Sequence, residues 1–249
     1  MRIVFTPDWF LGSDVCIDFF SFLILFTFFV FAYKSYKLSK NKNSLYLGVG
    51  FLLIAIGEAS MILTKLVLYY DTTFTQSIGQ MIITYHVVRS TDIFYNIGFF
   101  FHKFFTLLGL YILYRVVLKE RSSRELLLVL YFLIVASIFG SLFYYIFHIT
   151  TLILLVMILS AYSKIYKKNK MFNTKILIIG FTLLAFSHFI FAFSEIMSLI
   201  YVVGQIIQLI SYIIFLCLII VIWKNGKKKE QNRYNIRYAG SDTRKKRKD

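Results

Sequence analysis

Seven nearly uninterrupted apolar runs dominate the chain, at residues 15–33, 45–69, 93–114, 126–145, 149–166, 175–199 and 201–223. At ~1.5 Å of rise per residue, each is close to the roughly 17–25 residues that carry a helix across a bilayer. Composition points the same way: 59% of the 249 residues are hydrophobic and only 16% are charged, with mean hydropathy +0.72. A soluble domain of this length has no interior large enough for that much apolar surface, so the expected solvent is lipid. The expected fold is all-α, a polytopic membrane protein of seven transmembrane helices. The fourth and fifth runs are divided only by a weak break at 144–150, and the sixth and seventh by a tight turn near Tyr201. Pro7 is the one proline, ahead of the first run, so no span is expected to kink.

Charge sets an expected orientation. All but four of the 28 Lys and Arg fall in KSYKLSKNKN, RVVLKERSSRE, KIYKKNKMFNTK and the tail from Lys224. With seven spans these segments share one face of the membrane. Arg2 and Arg89 fall on the other, and Lys65 and Lys103 lie within spans. The positive-inside rule then places the N-terminus (1–14) outside and the C-terminus in the cytoplasm, with the cell membrane as the expected location. An even number of spans would destroy this separation. The opening MRIVFTPDWFLGSD has one arginine and two aspartates, the wrong charge for a signal peptide, so the first run is expected to be retained.

Two segments are expected outside the bundle of 15–223. In DTTFTQSIGQMIITYHVVRSTD (71–92), Phe74, Ile78, Met81, Ile82 and Tyr85 recur at helical spacing, which predicts an amphipathic helix on the membrane surface. The tail 224–249 lacks apolar periodicity and is expected to be disordered. Its basic residues should be drawn to anionic lipid headgroups, at ~1 kcal/mol each near the surface. An unknown cytoplasmic protein is the other candidate partner. Nucleic acid is not expected, because no folded reader domain accompanies the charge. Cys16 and Cys217 fall on opposite sides, too far apart for a disulfide, and read as small packing residues.

A weak internal repeat is visible. GFLLIAIGEA (50–59) aligns with GFTLLAFSHF (180–189), matching Gly50 with Gly180, Phe51 with Phe181 and Ala55 with Ala185. NIGFFFHKF (96–104) aligns loosely with VVGQIIQLI (202–210). Spans two–three and six–seven thus read as copies of one hairpin, spans four–five as a more diverged copy, and span one as an addition. Chance resemblance among common membrane residues is the competing explanation.

The same register selects the candidate site. Glu58 falls opposite His188 and Lys65 opposite Glu195, and residues at i and i+7 share a helical face. Ionisable groups within a membrane face the bundle interior and find partners. The expectation is that spans two and six are neighbours, with Glu58 meeting His188 and Lys65 meeting Glu195. His102 and Lys103 of span three, and Gln205 and Gln208 of span seven, complete the polar set. Either these groups are interhelical glue, or they line a water-accessible pocket open to the outside.

Other chemistries lack their motifs. His86, His102, His148 and His188 have no metal-ligand spacing, and no GxSxG elbow appears, so neither an enzyme nor a cofactor is expected. The last run has no Schiff-base lysine of a retinal protein and no proline motif of a G-protein-coupled receptor. Helix count and the GF-x-L-x-A start are similar to seven-helix sensor regions of prokaryotic histidine kinases, but neither is a motif and no family is assigned. The expected function is a non-enzymatic membrane sensing or scaffolding protein with an outward-facing polar pocket. The alternative is a small-solute or proton-coupled transporter.

Overall fold

The computed structural model describes the backbone of residues 6–78, 81–118 and 126–245. It describes their side chains except at 8, 70–94, 126, 141–142 and 224–245. Among these residues the chain forms a 3-10 turn, Asp8–Phe10, and seven α-helices. The helices are α1 (Ser13–Ser39), α2 (Lys42–Ile78), α3 (Met81–Leu118), α4 (Leu126–Leu142), α5 (Tyr144–Asn169), α6 (Phe172–Phe191) and α7 (Ser198–Lys245).

Six helices are long and apolar enough to cross a membrane: α1, α5 and α6 over their whole lengths, with Lys42–Tyr69 of α2, Tyr95–Leu118 of α3 and Ser198–Trp223 of α7. The protein is therefore a polytopic helical membrane protein. α4 is shorter; its 17 residues rise ~26 Å against a hydrocarbon core of about 30 Å. The break before α5 falls at Phe143, and α6 stops at Phe191 before a turn through Ala192–Ile196. The surface helix expected at 71–92 rests on side chains outside the described residues; the backbone of 71–78 is helix belonging to α2 and that of 81–92 helix belonging to α3. In α7 the helical backbone runs past Trp223 to Lys245, through the segment whose composition predicted disorder. Lys, Arg, Glu and Gln all sustain helix well.

The helices α1, α2, α3, α5, α6 and α7 pack in that order into a ring, which α7 closes against α1. α4 lies outside, against α3 and α5. It buries one stripe, Leu133, Ser137 and Gly140, and exposes Leu127, Tyr131 and Phe132, as a lipid-facing helix should. α2 and α3 approach until their backbones touch. A Cβ on Gly109 would lie 2.6 Å from the Gly50 carbonyl oxygen, so only glycine fits that crossing.

The ring has internal two-fold character. α1 and α5 both end on a lysine in the left-handed region, Lys40 (φ 55°) and Lys170 (φ 46°), which bonds back to Tyr36 O and Tyr166 O. At the same offset, buried Ser21 corresponds to Thr151, Leu25 to Leu155, Phe28 to Ile158, Phe51 to Phe181, Ile54 to Leu184 and Glu58 to His188. Gly50 packs on Leu113 of α3, and Gly180 packs on Phe215 of α7. Two three-helix units, α1–α3 and α5–α7, are thus joined by α4. The copy of α1 is α5, so the division drawn from the sequence, with α4–α5 as a hairpin copy and α1 as an addition, does not describe the structure.

Both turns that join the paired helices, around Lys40 and Lys170, lie at one end of the ring, where Lys34, Lys37, Lys42, Lys164, Lys167 and Lys168 are exposed or at the rim. Toward this basic end the interior is filled by Phe28, Phe51, Phe181 and Phe215, with ring centroids 4.4–6.2 Å apart for the closest pairs. Polar side chains gather nearer the opposite end.

Candidate functional site

Lys65 is held by α1. Its Nζ lies 2.5 Å from Asp18 Oδ2 and 3.0 Å from Asp14 Oδ2, and donates to the Tyr201 hydroxyl at 3.1 Å. These contacts occupy the three donors of the ammonium. Asp14 and Asp18 are one helical turn apart and share a face. Asp14 also accepts from the Tyr69 hydroxyl (2.7 Å), the Gly12 N–H (3.1 Å) and the Thr6 hydroxyl (3.3 Å). Gly12 has φ 86°, a conformation that glycine adopts without strain, and so turns the chain onto this carboxylate.

Glu58 has a different environment. Its Oε1 accepts from the Tyr212 hydroxyl at 3.2 Å and from Gln208 Nε2 at 3.4 Å. Among the described residues no Lys, Arg or His lies within ion-pair distance of it. It is a buried acid with neutral partners.

Two histidines face each other across α5 and α6, with His148 Nδ1 and His188 Nδ1 2.9 Å apart. One nitrogen must donate and the other accept, so the two rings hold complementary tautomers. His102 donates from Nδ1 to the Gly57 carbonyl at 3.1 Å, which fixes its own tautomer. Lys103 donates to the Gly140 carbonyl at 2.7 Å and lies 5.6 Å from the Phe99 ring centroid. Gly140 is in the last turn of α4, where carbonyls lack helical partners and carry the negative end of the dipole. Lys103 thus fastens α4 to the ring.

A cavity of about 50 Å³ occupies the centre of the ring. That is room for on the order of three waters, far below the roughly 300 Å³ at which drug-sized pockets begin. Every ring helix contributes a polar side chain to its wall: Asp18, Glu58, Thr106, His148, His188 and Gln205. Three buried polar atoms among the described residues have no hydrogen-bond partner, Thr106 Oγ1, His148 Nε2 and Gln205 Oε1, and all three residues line this cavity. Buried polar atoms are nearly always paired, so three orphans around one void mark a place built for something polar. No three of the described His, Cys, Asp and Glu residues are grouped to hold a metal ion.

The structure corrects the expected pairing. α2 and α6 stand across the ring from each other, so Glu58 and His188 share the cavity wall without bonding to each other. Glu195 is exposed in the turn after α6 and does not pair with Lys65. Of the remaining candidates, Gln205 and Gln208 are buried at the cavity and His102 lines it, while Lys103 serves α4. Cys16 and Cys217 are free and exposed on the outer face of the bundle, not packed inside. Sequence reasoning did not place Asp14, Asp18, Thr106, His148, Tyr201 or Tyr212 in the candidate site, although Asp18 reads as a polar residue near the outer end of the first run and His148 as a histidine without ligand spacing. The i, i+4 acids at the start of α1 were the available signal for the first two.

No protein-family model, curated protein or solved structure matches the chain.

Proposed function

We propose that the chain is a sensing module of the cell membrane, with its N-terminus outside and its basic end in the cytoplasm. A small polar ligand enters the central cavity from outside, and its binding shifts the packing of the two three-helix units against each other. The observation that carries this reading is the trio of unpaired polar atoms around a single cavity. Interhelical glue pairs its own polar groups, whereas these three turn toward a space that small molecules from outside the protein must fill. The phenylalanine plug toward the basic end supports access from the other side alone. No catalytic step is assigned to the site, and anionic lipid at the basic end is the expected surface partner.

A carrier for a small solute is the second reading, favoured by the two-fold arrangement of three-helix units. Parallel repeats related by an axis along the membrane normal recur in transporters, with the site at the repeat interface. Accessibility separates the two. In a background with Cys16 and Cys217 replaced by serine, Gln205→Cys should react with a small hydrophilic thiosulfonate added outside and not with the same reagent added inside. Reaction from both sides would favour the carrier. Absence of reaction from either side would show the cavity sealed and would remove both readings.

A further inference from the structure

We infer that the cavity accepts a small primary ammonium, either ammonium itself or an alkylammonium of one or two carbons. This rests on the reading of the cavity as a ligand site and names the chemistry that fits it. Among the described residues, the acidic side chains buried at the ring's centre outnumber the cations that face them. Among these same described residues, Asp14, Asp18 and Glu58 face a single cation, Lys65, and that cation is committed to the two aspartates. Lys103 is spent on α4 and does not line the cavity. A carboxyl buried in a membrane protein without a counter-charge is kept neutral rather than ionised, and a cation in the cavity beside Glu58 supplies the charge that lets it ionise.

The orphan atoms have the matching polarity. Gln205 turns its Nε2 toward Tyr201 and Asp18, which leaves Oε1 as an acceptor without a donor. Thr106 Oγ1 can accept, as can His148 Nε2 in one of the two tautomers its bond to His188 allows. An ammonium brings three or four donors and no acceptor. Aromatic rings of Tyr144, Phe147, Phe191 and Tyr201 complete the wall, and ring faces attract cations. The alternatives fit less well. An anion would meet Asp18 and Glu58, and a neutral solute brings Glu58 no counter-charge. A hard divalent metal wants about six oxygen ligands, and this wall mixes oxygen, nitrogen and aromatic carbon.

Calorimetric titration of methylammonium chloride into the full chain, in nanodiscs of uncharged phosphatidylcholine at constant ionic strength, tests the inference. Saturable binding is expected. Glu58→Gln should weaken it roughly ten- to a hundredfold, the range for one charge-assisted hydrogen bond. Gln205→Met should weaken it as well, and Glu195→Gln, which alters an exposed acid, should not change it. Tetraethylammonium, of equal charge but too large for the cavity, should not compete. Equal binding to wild type, Glu58→Gln and Gln205→Met overturns the inference, as does effective competition by tetraethylammonium. Saturable binding of acetate or acetamide in place of methylammonium overturns the ammonium assignment and leaves the ligand site standing. If none of the three probes binds, the site falls with it.

Discussion

Replacing Lys65 with methionine tests the arrangement of the ion cluster most directly. The lysine side chain is 2% exposed and its carboxylate partners 0% and 3%, so no solvent is at hand to take over its role. Methionine keeps most of the volume and removes the charge, leaving Asp14 and Asp18 facing each other one turn apart. Loss of one partner from a buried ion pair costs about 3–5 kcal/mol, because the group left behind is uncompensated. An attraction of about 4 kcal/mol between unit charges at 4 Å, in an effective dielectric of about 20, gives the same scale. The structure makes a sharper claim in a second background. With Asp14→Asn and Asp18→Asn already in place, Lys65 is itself the uncompensated ion, so Lys65→Met should be neutral or stabilising. The difference between backgrounds is the coupling, and it should reach about 3 kcal/mol or more, well above the ~0.5 kcal/mol within which independent sites add. Reversible unfolding in bicelles measures it. Equal penalties in both backgrounds would refute the assignment of these aspartates as the partners of Lys65.

Two further expectations concern packing and topology. Gly109→Ala drives a methyl group toward the Gly50 carbonyl, a backbone atom that cannot swing aside, and should cost about 1–3 kcal/mol in the same unfolding assay; a loss under 0.5 kcal/mol would show that the α2–α3 crossing has slack. Trp9→Cys and Ser39→Cys sit exposed at opposite ends of the bundle. In intact cells an impermeant maleimide should label the first alone and in inverted vesicles the second alone, and the reverse pattern would overturn the proposed orientation.

How far the sequence could be read follows from what each residue's neighbours determine. Helices were legible because hydropathy is a property of a segment by itself, and an unbroken apolar run has few folds open to it in lipid. That Lys65 and Glu58 face inward was equally legible, since an ion on the lipid side has no partner. Who meets them was not. Partnership depends on the order of helices around the ring, which periodicity along one helix does not encode. The pairing of Glu58 with His188 assumed that aligned positions touch. In a two-fold ring, equivalent positions lie across the axis, so the alignment that made them equivalent also keeps them apart. The extent of the repeat was written in K-x-Y-K-x-x-K, which occurs as Lys34–Lys40 and again as Lys164–Lys170. Positive-inside charge explains such a motif at any cytoplasmic turn, and so masked its second meaning.

The same geometry explains why the centre of the ring is chemically lopsided. Corresponding positions in the two units carry opposite chemistry: Asp18 matches His148, and Glu58 matches His188. The α1–α2 wall of the cavity therefore presents carboxylates and the facing α5–α6 wall imidazoles, while the backbone and apolar packing around them repeat. Stability alone gives no reason for this. Two-fold packing is served as well by apolar side chains at these positions, as Phe51 with Phe181 and Leu25 with Leu155 show one turn or more away. Each buried ionisable group adds a desolvation cost that packing does not require. Ionisable groups at the axis that differ between the halves, beside polar atoms left unpaired, are the pattern expected when a scaffold keeps its frame and gives up symmetry where a ligand must lie one way round. An asymmetric ligand on a two-fold axis can bond to both walls only if the walls differ, and here they differ at both ionisable pairs that line the cavity, Asp18 with His148 and Glu58 with His188.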